Sequence, residues 1–318
     1  MPRIIVLDGQ TLNPGDNPWS PLEAHGEVVV HGRSAPEQVV PRSRGADVLI
    51  VNKVRLPADV LAQLPDLKLV AVSATGFDCV DVAAARQRNV AVVNVPEYGT
   101  DSVAQAVFAL LLHLCHRVDL HDAAVQAGEW SRSPDFCFWK TPLVELAGRT
   151  MGIVGFGRIG RRVGELARAF GMPVLAHDAR PANPPEYDFR WAAIEQLFAT
   201  ADVVSLHCPL TPETAGLVNR QRLALMKPSS ILINTSRGSL VVESDLAEAL
   251  NAGRLAAAAV DVVASEPIRP DNPLLSARNC VITPHIAWAT LSARRRLLAA
   301  VAENVGSYFA GRPQNVVN

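Results

Sequence analysis

Three polar residues stand where apolar, strand-like runs of this chain end: Arg237 in "NTSRG" (234–238), Glu266 in "DVVASEP" (261–267) and His285 in "TPHIAW" (283–288). A cation, a carboxylate and an imidazole held together suit hydride transfer to a 2-keto acid. The cation binds the carboxylate and polarises the carbonyl, and an acid protonates the alkoxide that develops. Histidine is the side chain that serves as that acid near neutral pH, and a neighbouring carboxylate favours its charged form. Singly, each has an ordinary reading: a surface ion pair, a loop carboxylate before Pro267, a buried and hydrogen-bonded histidine. Three such residues at three strand ends of one sheet are harder to dismiss, because ligands of open α/β sheets lie outside the carboxyl ends of the strands.

A second constellation names the partner such chemistry needs. In "GIVGFGRIGRRVGELARAFG" (152–171), Gly155, Gly157 and Gly160 follow an apolar strand and open a helix. The spacing permits a tight turn, a close backbone approach to a pyrophosphate and close helix–strand packing, and the helix start favours the phosphates. The following strand ends in Asp178, a carboxylate suited to ribose hydroxyls and hostile to a 2′-phosphate, which predicts NAD. Arg180, two residues on, keeps NADP open. His113 and His116, at helical spacing, lack a matching carboxylate and read as packing residues, so no metal site is expected.

The elements that must position these residues alternate. Strand-like runs at 3–8, 27–31, 47–52, 67–73 and 90–94 are separated by short helical pieces. A long apolar helix is expected over 99–128, capped by Thr100 or Asp101 and closed by Gly128. After an aromatic loop (129–142), runs at 151–157, 173–178, 202–208, 230–236, 257–262 and 280–285 form a second set, and helical periodicity returns over 290–311. This alternation predicts βαβ units and parallel sheets. At 318 residues, 49% hydrophobic and with a net charge of −1, the chain has room for two domains and no general pull toward nucleic acid or an anionic membrane. No run reaches a membrane span, the start "MPRIIVLDG" reads as a strand, and the five scattered cysteines support neither a disulfide framework nor a zinc knuckle. A cytoplasmic protein is expected.

With these residues in view, the chain resembles the D-isomer-specific 2-hydroxyacid dehydrogenase family over essentially its whole length. The resemblance is carried by "ELAGRTMGIVGFGRIG" (145–160), "HCPLTPETAGLVN" (207–219), "LINTSRGSLVVESDLAEAL" (232–250), "AAVDVVASEP" (258–267) and "NCVITPHIAWAT" (279–290). "ATG" (74–76), "DFCFW" (135–139) and "HIAWAT" (285–290) look most like its glycerate dehydrogenase or hydroxypyruvate reductase branch. It implies two Rossmann-like α/β domains with parallel sheets flanked by helices. An NAD(P)-binding domain, 100–285, would be inserted into a discontinuous flavodoxin-like substrate domain, 1–99 and 286–318. It implies a homodimer and a small 2-keto or 2-hydroxy acid substrate, hydroxypyruvate or glyoxylate first, with D-lactate or phosphoglycerate as near alternatives.

Residue by residue, the resemblance implies that His285 is the general acid and base, Glu266 its hydrogen-bond partner, and Arg237 the group that holds the substrate carboxylate and polarises the carbonyl. The amides of Thr75 and Gly76 would bind that carboxylate, and Trp139 and Trp288 would wall the pocket. Arg158 and Ile159 would line the pyrophosphate, Asp178 the ribose, and His207, Cys208, Pro209 and Thr214 the adenosine half. Asp261 would take the nicotinamide carboxamide beside Thr235, with Thr100 a further cofactor candidate. "ATG" departs from the family's Val-Gly pair, so the Thr75 hydroxyl is a candidate for tuning substrate choice. The rival of another class is a dinucleotide-sensing binding protein like the family's corepressors, to which a chain of this length without extended tails or a basic face is less suited. An adenosyl-ligand hydrolase of similar fold would leave Arg237, Glu266 and His285 without a joint role.

Overall fold

The computed structural model describes residues 1–181 and 184–318, and the chain divides into two compact units, Met1–Gly99 with Trp288–Asn318, and Thr100–Ala287. In the first unit five parallel strands, β1 (Arg3–Val6), β2 (Glu27–Val30), β3 (Val48–Val51), β4 (Leu69–Val72) and β5 (Ala91–Val93), lie in the order β2-β1-β3-β4-β5. β3 and β4 read "VLIV" and "LVAV" without alternation because both faces of the sheet are covered. Leu297, Leu298, Val301 and Val305 of the helix Leu291–Phe309 fill one side, and Leu61, Leu64, Val80 and Ala85 the other. That helix starts where the Thr290 hydroxyl accepts from the Ala293 amide and ends before Gly311, at φ +73°. Its one buried cation, Arg294, is held by both oxygens of Asp16, at 2.5 and 2.7 Å.

The second unit carries seven parallel strands: β6 (Met151–Val154), β7 (Val174–His177), β8 (Arg190–Trp191), β9 (Val203–Leu206), β10 (Ile231–Asn234), β11 (Ala257–Val260) and β12 (Cys280–Ile282). Their order is β12-β11-β10-β9-β6-β7-β8. The chain reverses direction across the sheet between β6 and β9, the switch point at which such sheets bind ligands. Register then does the positioning. Val154 lies opposite His177 and Leu206, Asn234 opposite Leu206 and Val260, and Val260 opposite Ile282. The next residues along, Asp178, Gly155, His207, Thr235, Asp261 and Thr283, therefore form one row at the carboxyl edge.

Two expectations are corrected. The single helix over 99–128 is two helices, Thr100–His116 and Val118–Gln126, bent by 52°. Arg117 breaks it at φ 43°, in the left-handed region, and its carbonyl is taken by the His121 ring at 2.8 Å. β8, which pairs with β7 through two residues, escaped the pattern reading because so short an edge strand has no periodicity. No single helix among the described residues is long and apolar enough to cross a membrane.

Candidate active site

The glycine loop is shaped by its neighbours. Gly155 has φ +92°, and a Cβ there would lie 2.3 Å from the Cys208 amide nitrogen; one on Gly160 would lie 2.2 Å from the Gly155 carbonyl oxygen. Gly157, by contrast, faces open space. Asp178 clamps the loop from the next strand, accepting from the Phe156 amide at 2.7 Å and from the Arg180 amide at 2.8 Å. The helix Arg158–Ala169 follows, so Arg158 and Ile159 sit in its first turn, at the positive end of the helix dipole. Thr235, in the edge row, buries a hydroxyl with no hydrogen-bond partner. An orphaned polar atom and an open glycine backbone at the switch point fit a dinucleotide.

Farther along the row, the His285 Nδ1 lies 2.7 Å from a Glu266 carboxylate oxygen, both side chains keeping about a quarter to a third of their surface, 26% and 34%. The pairing directs Nδ1–H toward Glu266, which leaves Nε2 as the nitrogen available to another partner. His285 itself has φ 57°, which costs a non-glycine residue on the order of 1–2 kcal/mol. Glu266 is steadied by its other oxygen, which accepts from the Val263 amide at 3.3 Å.

Arg237 is half-buried, with Nη1 donating to the Ser236 carbonyl at 2.8 Å and Asn234 donating to its own carbonyl at 2.9 Å. A Cβ on the next residue, Gly238, would lie 1.9 Å from the Val263 carbonyl carbon, so this turn lies flat against the backbone that leads to Glu266. Glu243 fixes the same backbone by accepting from the Ala264 amide at 2.7 Å. The sequence reading missed Gly238 and Glu243; a glycine directly after the arginine was the only signal.

Other predicted residues fall as follows. His207 bonds Ser205 through Nε2 at 2.8 Å, and burial pushes its imidazole below the usual histidine range, so the ring is neutral. Burial pushes the Cys208 thiol up to about 11, which makes it an apolar wall and no nucleophile. The Thr214 hydroxyl donates to the Pro209 carbonyl at 2.7 Å, closing that loop on itself. Thr100 opens its helix, whose second residue, Asp101, pairs with Arg162 of the glycine-loop helix at 2.9 Å.

Asp261 is buried, and its carboxylate is engaged by Thr283, Ile286 and Ala287. Those bonds explain why Ile286 and Ala287 pack with the second unit. In the first unit the Thr75 hydroxyl donates to the Val95 carbonyl at 3.0 Å and its carbonyl accepts from Asn94 at 2.7 Å, so the hydroxyl is turned to the backbone and away from a tuning role. The Thr75 and Gly76 amides have no acceptor among the described residues. Trp288 packs edge-on against Tyr98, and Trp139 is 67% exposed. His113 lies 3.7 Å from Asp119, and no metal-binding cluster occurs among the described residues.

A family model described as D-isomer specific 2-hydroxyacid dehydrogenase, NAD binding domain, matches residues 108–287. A hydroxypyruvate reductase of Blautia hydrogenotrophica is 48% identical, over 99% of this chain and 99% of its own. The chain belongs to the D-isomer-specific 2-hydroxyacid dehydrogenases. This dehydrogenase is also 42% identical to a glycerate dehydrogenase of Methylorubrum extorquens, over 99% of its own length and 98% of the relative's. Its fold is that of the NADPH-dependent glyoxylate/hydroxypyruvate reductase of Sinorhizobium meliloti, solved with NADP and malonate, at a TM-score of 0.84 and 30% identity, covering 99% and 96% of the two chains. The glycine loop, Asp178 and the orphaned Thr235 thus lie in the dehydrogenase's NAD-binding domain.

Proposed function

We propose that this dehydrogenase reduces a small 2-keto acid, hydroxypyruvate or glyoxylate first, to the D-2-hydroxy acid. The observation that carries the reading is the His285–Glu266 pair at 2.7 Å, with the turn that follows Arg237 packed through Gly238 against the backbone leading to Glu266, on the sheet edge that carries the glycine loop. The relatives named for hydroxypyruvate and glyoxylate support the substrate class. Bound NAD(P)H supplies the hydride. His285 Nε2 donates the proton that the new alkoxide needs and takes it back in the oxidative direction. Glu266 holds the ring through Nδ1, so the proton leaves from the other nitrogen. Arg237 pairs with the substrate carboxylate and stabilises the charge that grows on the carbonyl oxygen. The amides of Thr75 and Gly76, which have no acceptor among the described residues, and the rings of Trp139 and Trp288 are further candidates for substrate contact. Arg158 and Ile159 serve the pyrophosphate, and His207 through Pro209 with Thr214 serve the adenosine half.

Oxidation of NADH and of NADPH, followed by absorbance against hydroxypyruvate, glyoxylate, pyruvate and phosphohydroxypyruvate, tests this directly. The expected result is the highest kcat/KM with hydroxypyruvate or glyoxylate; no turnover with any 2-keto acid would overturn the reading. In the same assay Asp178 predicts a lower kcat/KM for NADPH than for NADH, by about tenfold or more. A preference for NADPH would show that Arg180 outweighs it.

The dehydrogenase is further proposed to be a homodimer. Within residues 118–143 of the second unit, Val118, Trp130, Phe136 and Leu143 are all more than half exposed. So much apolar surface in one stretch marks an interaction face. Light scattering behind size exclusion should give twice the monomer mass, and a Phe136→Glu variant should give the monomer; a monomeric wild type would overturn this. All five cysteines are unpaired, which supports a reducing compartment such as the cytoplasm.

A further inference from the structure

Asp261 and Thr283 carry hydrogen bonds that the proposed reaction does not use. Three consecutive amides converge on Asp261: His285 donates to its carbonyl at 2.8 Å, Ile286 to one carboxylate oxygen at 2.9 Å, and Ala287 to the other at 2.8 Å. The Thr283 hydroxyl donates to the same carboxylate at 2.6 Å. Asp261 is 1% exposed, so this carboxylate is matched almost wholly by protein donors, as a buried charge must be. At the centre of the arrangement His285 is held at φ 57°, a conformation that a histidine keeps only where its surroundings over-determine it.

From this convergence we infer that Asp261 and Thr283 form a clamp that fixes the backbone of His285, and that both are positioning residues for its proton transfer. The inference rests on the dehydrogenase reading and deepens it. Thr283 acts through Asp261, and Asp261 acts through the three amides. Slackening either lets the segment leave the left-handed conformation and carries the imidazole away from Glu266, which reaches it by one hydrogen bond from a loop on the neighbouring strand's end. The carboxylate itself takes three of these donors, Thr283 and Ile286 on one oxygen and Ala287 on the other, which limits what it can offer a nicotinamide carboxamide, the role that the family resemblance implies for Asp261.

The test uses full-length protein with Thr283→Val, which removes the hydroxyl at nearly constant volume, with Thr283→Ser and with Asp261→Asn. Three quantities are read: kcat and KM with hydroxypyruvate, the NADH dissociation constant by fluorescence titration without keto acid, and the NMR titration midpoint of the His285 ring in cofactor-free protein. Thr283→Val should lower kcat about tenfold, leave the NADH constant within about twofold, and move the His285 midpoint, with Thr283→Ser restoring both. Asp261→Asn should lower kcat further; should that variant fail to fold, the threonine pair still decides. Wild-type kcat and midpoint in Thr283→Val would overturn the clamp. So would NADH binding weakened tenfold at unchanged kcat, which would return Asp261 to the cofactor. If the wild-type protein reduces no 2-keto acid, the dehydrogenase reading fails separately, and the midpoint alone then supports the clamp by moving or overturns it by staying.

Discussion

Replacing His285 by alanine should lower kcat by about 10²–10⁴-fold, the usual contribution of a positioned general acid. NADH binding should change little, because His285 reaches outward from a sheet edge whose glycine loop and Asp178 lie on other strands. The difficulty with the alanine variant is the backbone: residue 285 stands at φ 57°, and a loss of activity can come from a segment that relaxes. His285→Asn separates the two causes, since asparagine tolerates that region better than most residues and cannot deliver the proton. An equal loss in both variants assigns the effect to the imidazole. Glu266→Gln should fall between them and the wild type, because an amide still orients the ring and no longer stabilises its charged form. Stopped-flow single turnovers with hydroxypyruvate measure the step itself. Near-normal turnover in His285→Asn would remove the histidine from the mechanism.

The sequence made Arg237, Glu266 and His285 legible because each follows an apolar run that must be a buried parallel strand, and parallel strands end at one edge. Register then turned three separate strand ends into neighbours, which pattern reading anticipates only in outline. What stayed hidden depends on contacts between segments far apart in the chain. Nothing local in "AAVDVV" says that Asp261 will gather the amides of 285–287, and nothing in "SRGSL" says that Gly238 will lie against Val263. Arg117 illustrates the other limit. Its break in an apolar helix comes from a left-handed residue that is neither glycine nor asparagine, so composition gave no warning. The Thr75 hydroxyl, which the sequence offered as a tuning group, is spent on the Val95 carbonyl because the chain leaving β5 runs beside it, with the Val95 amide donating to the Ala74 carbonyl.

Arg237→Ala should lower kcat/KM for the keto acid by about 10²–10³-fold, the cost of removing one preorganised donor from a charge that develops in the transition state. The split between the constants carries the information. A guanidinium that only holds the carboxylate gives a raised KM at unchanged kcat, whereas one that also polarises the carbonyl lowers kcat as well. The geometry favours the second outcome. The Arg237 guanidinium donates one N–H to the Ser236 carbonyl, its main-chain carbonyl is held by Asn234, and the turn it begins rests on the backbone that leads to Glu266, so the cation is oriented before substrate arrives. Preorganisation of that kind is of most use where charge appears during the reaction. Arg237→Lys sharpens the test, because lysine keeps the charge and loses the planar fork. If the lysine variant recovers most of the binding and little of kcat, the fork is serving the carbonyl oxygen and the carboxylate together. If Arg237→Ala leaves kcat/KM unchanged, the substrate is held elsewhere, and the row of residues at this sheet edge has been assigned one role too many.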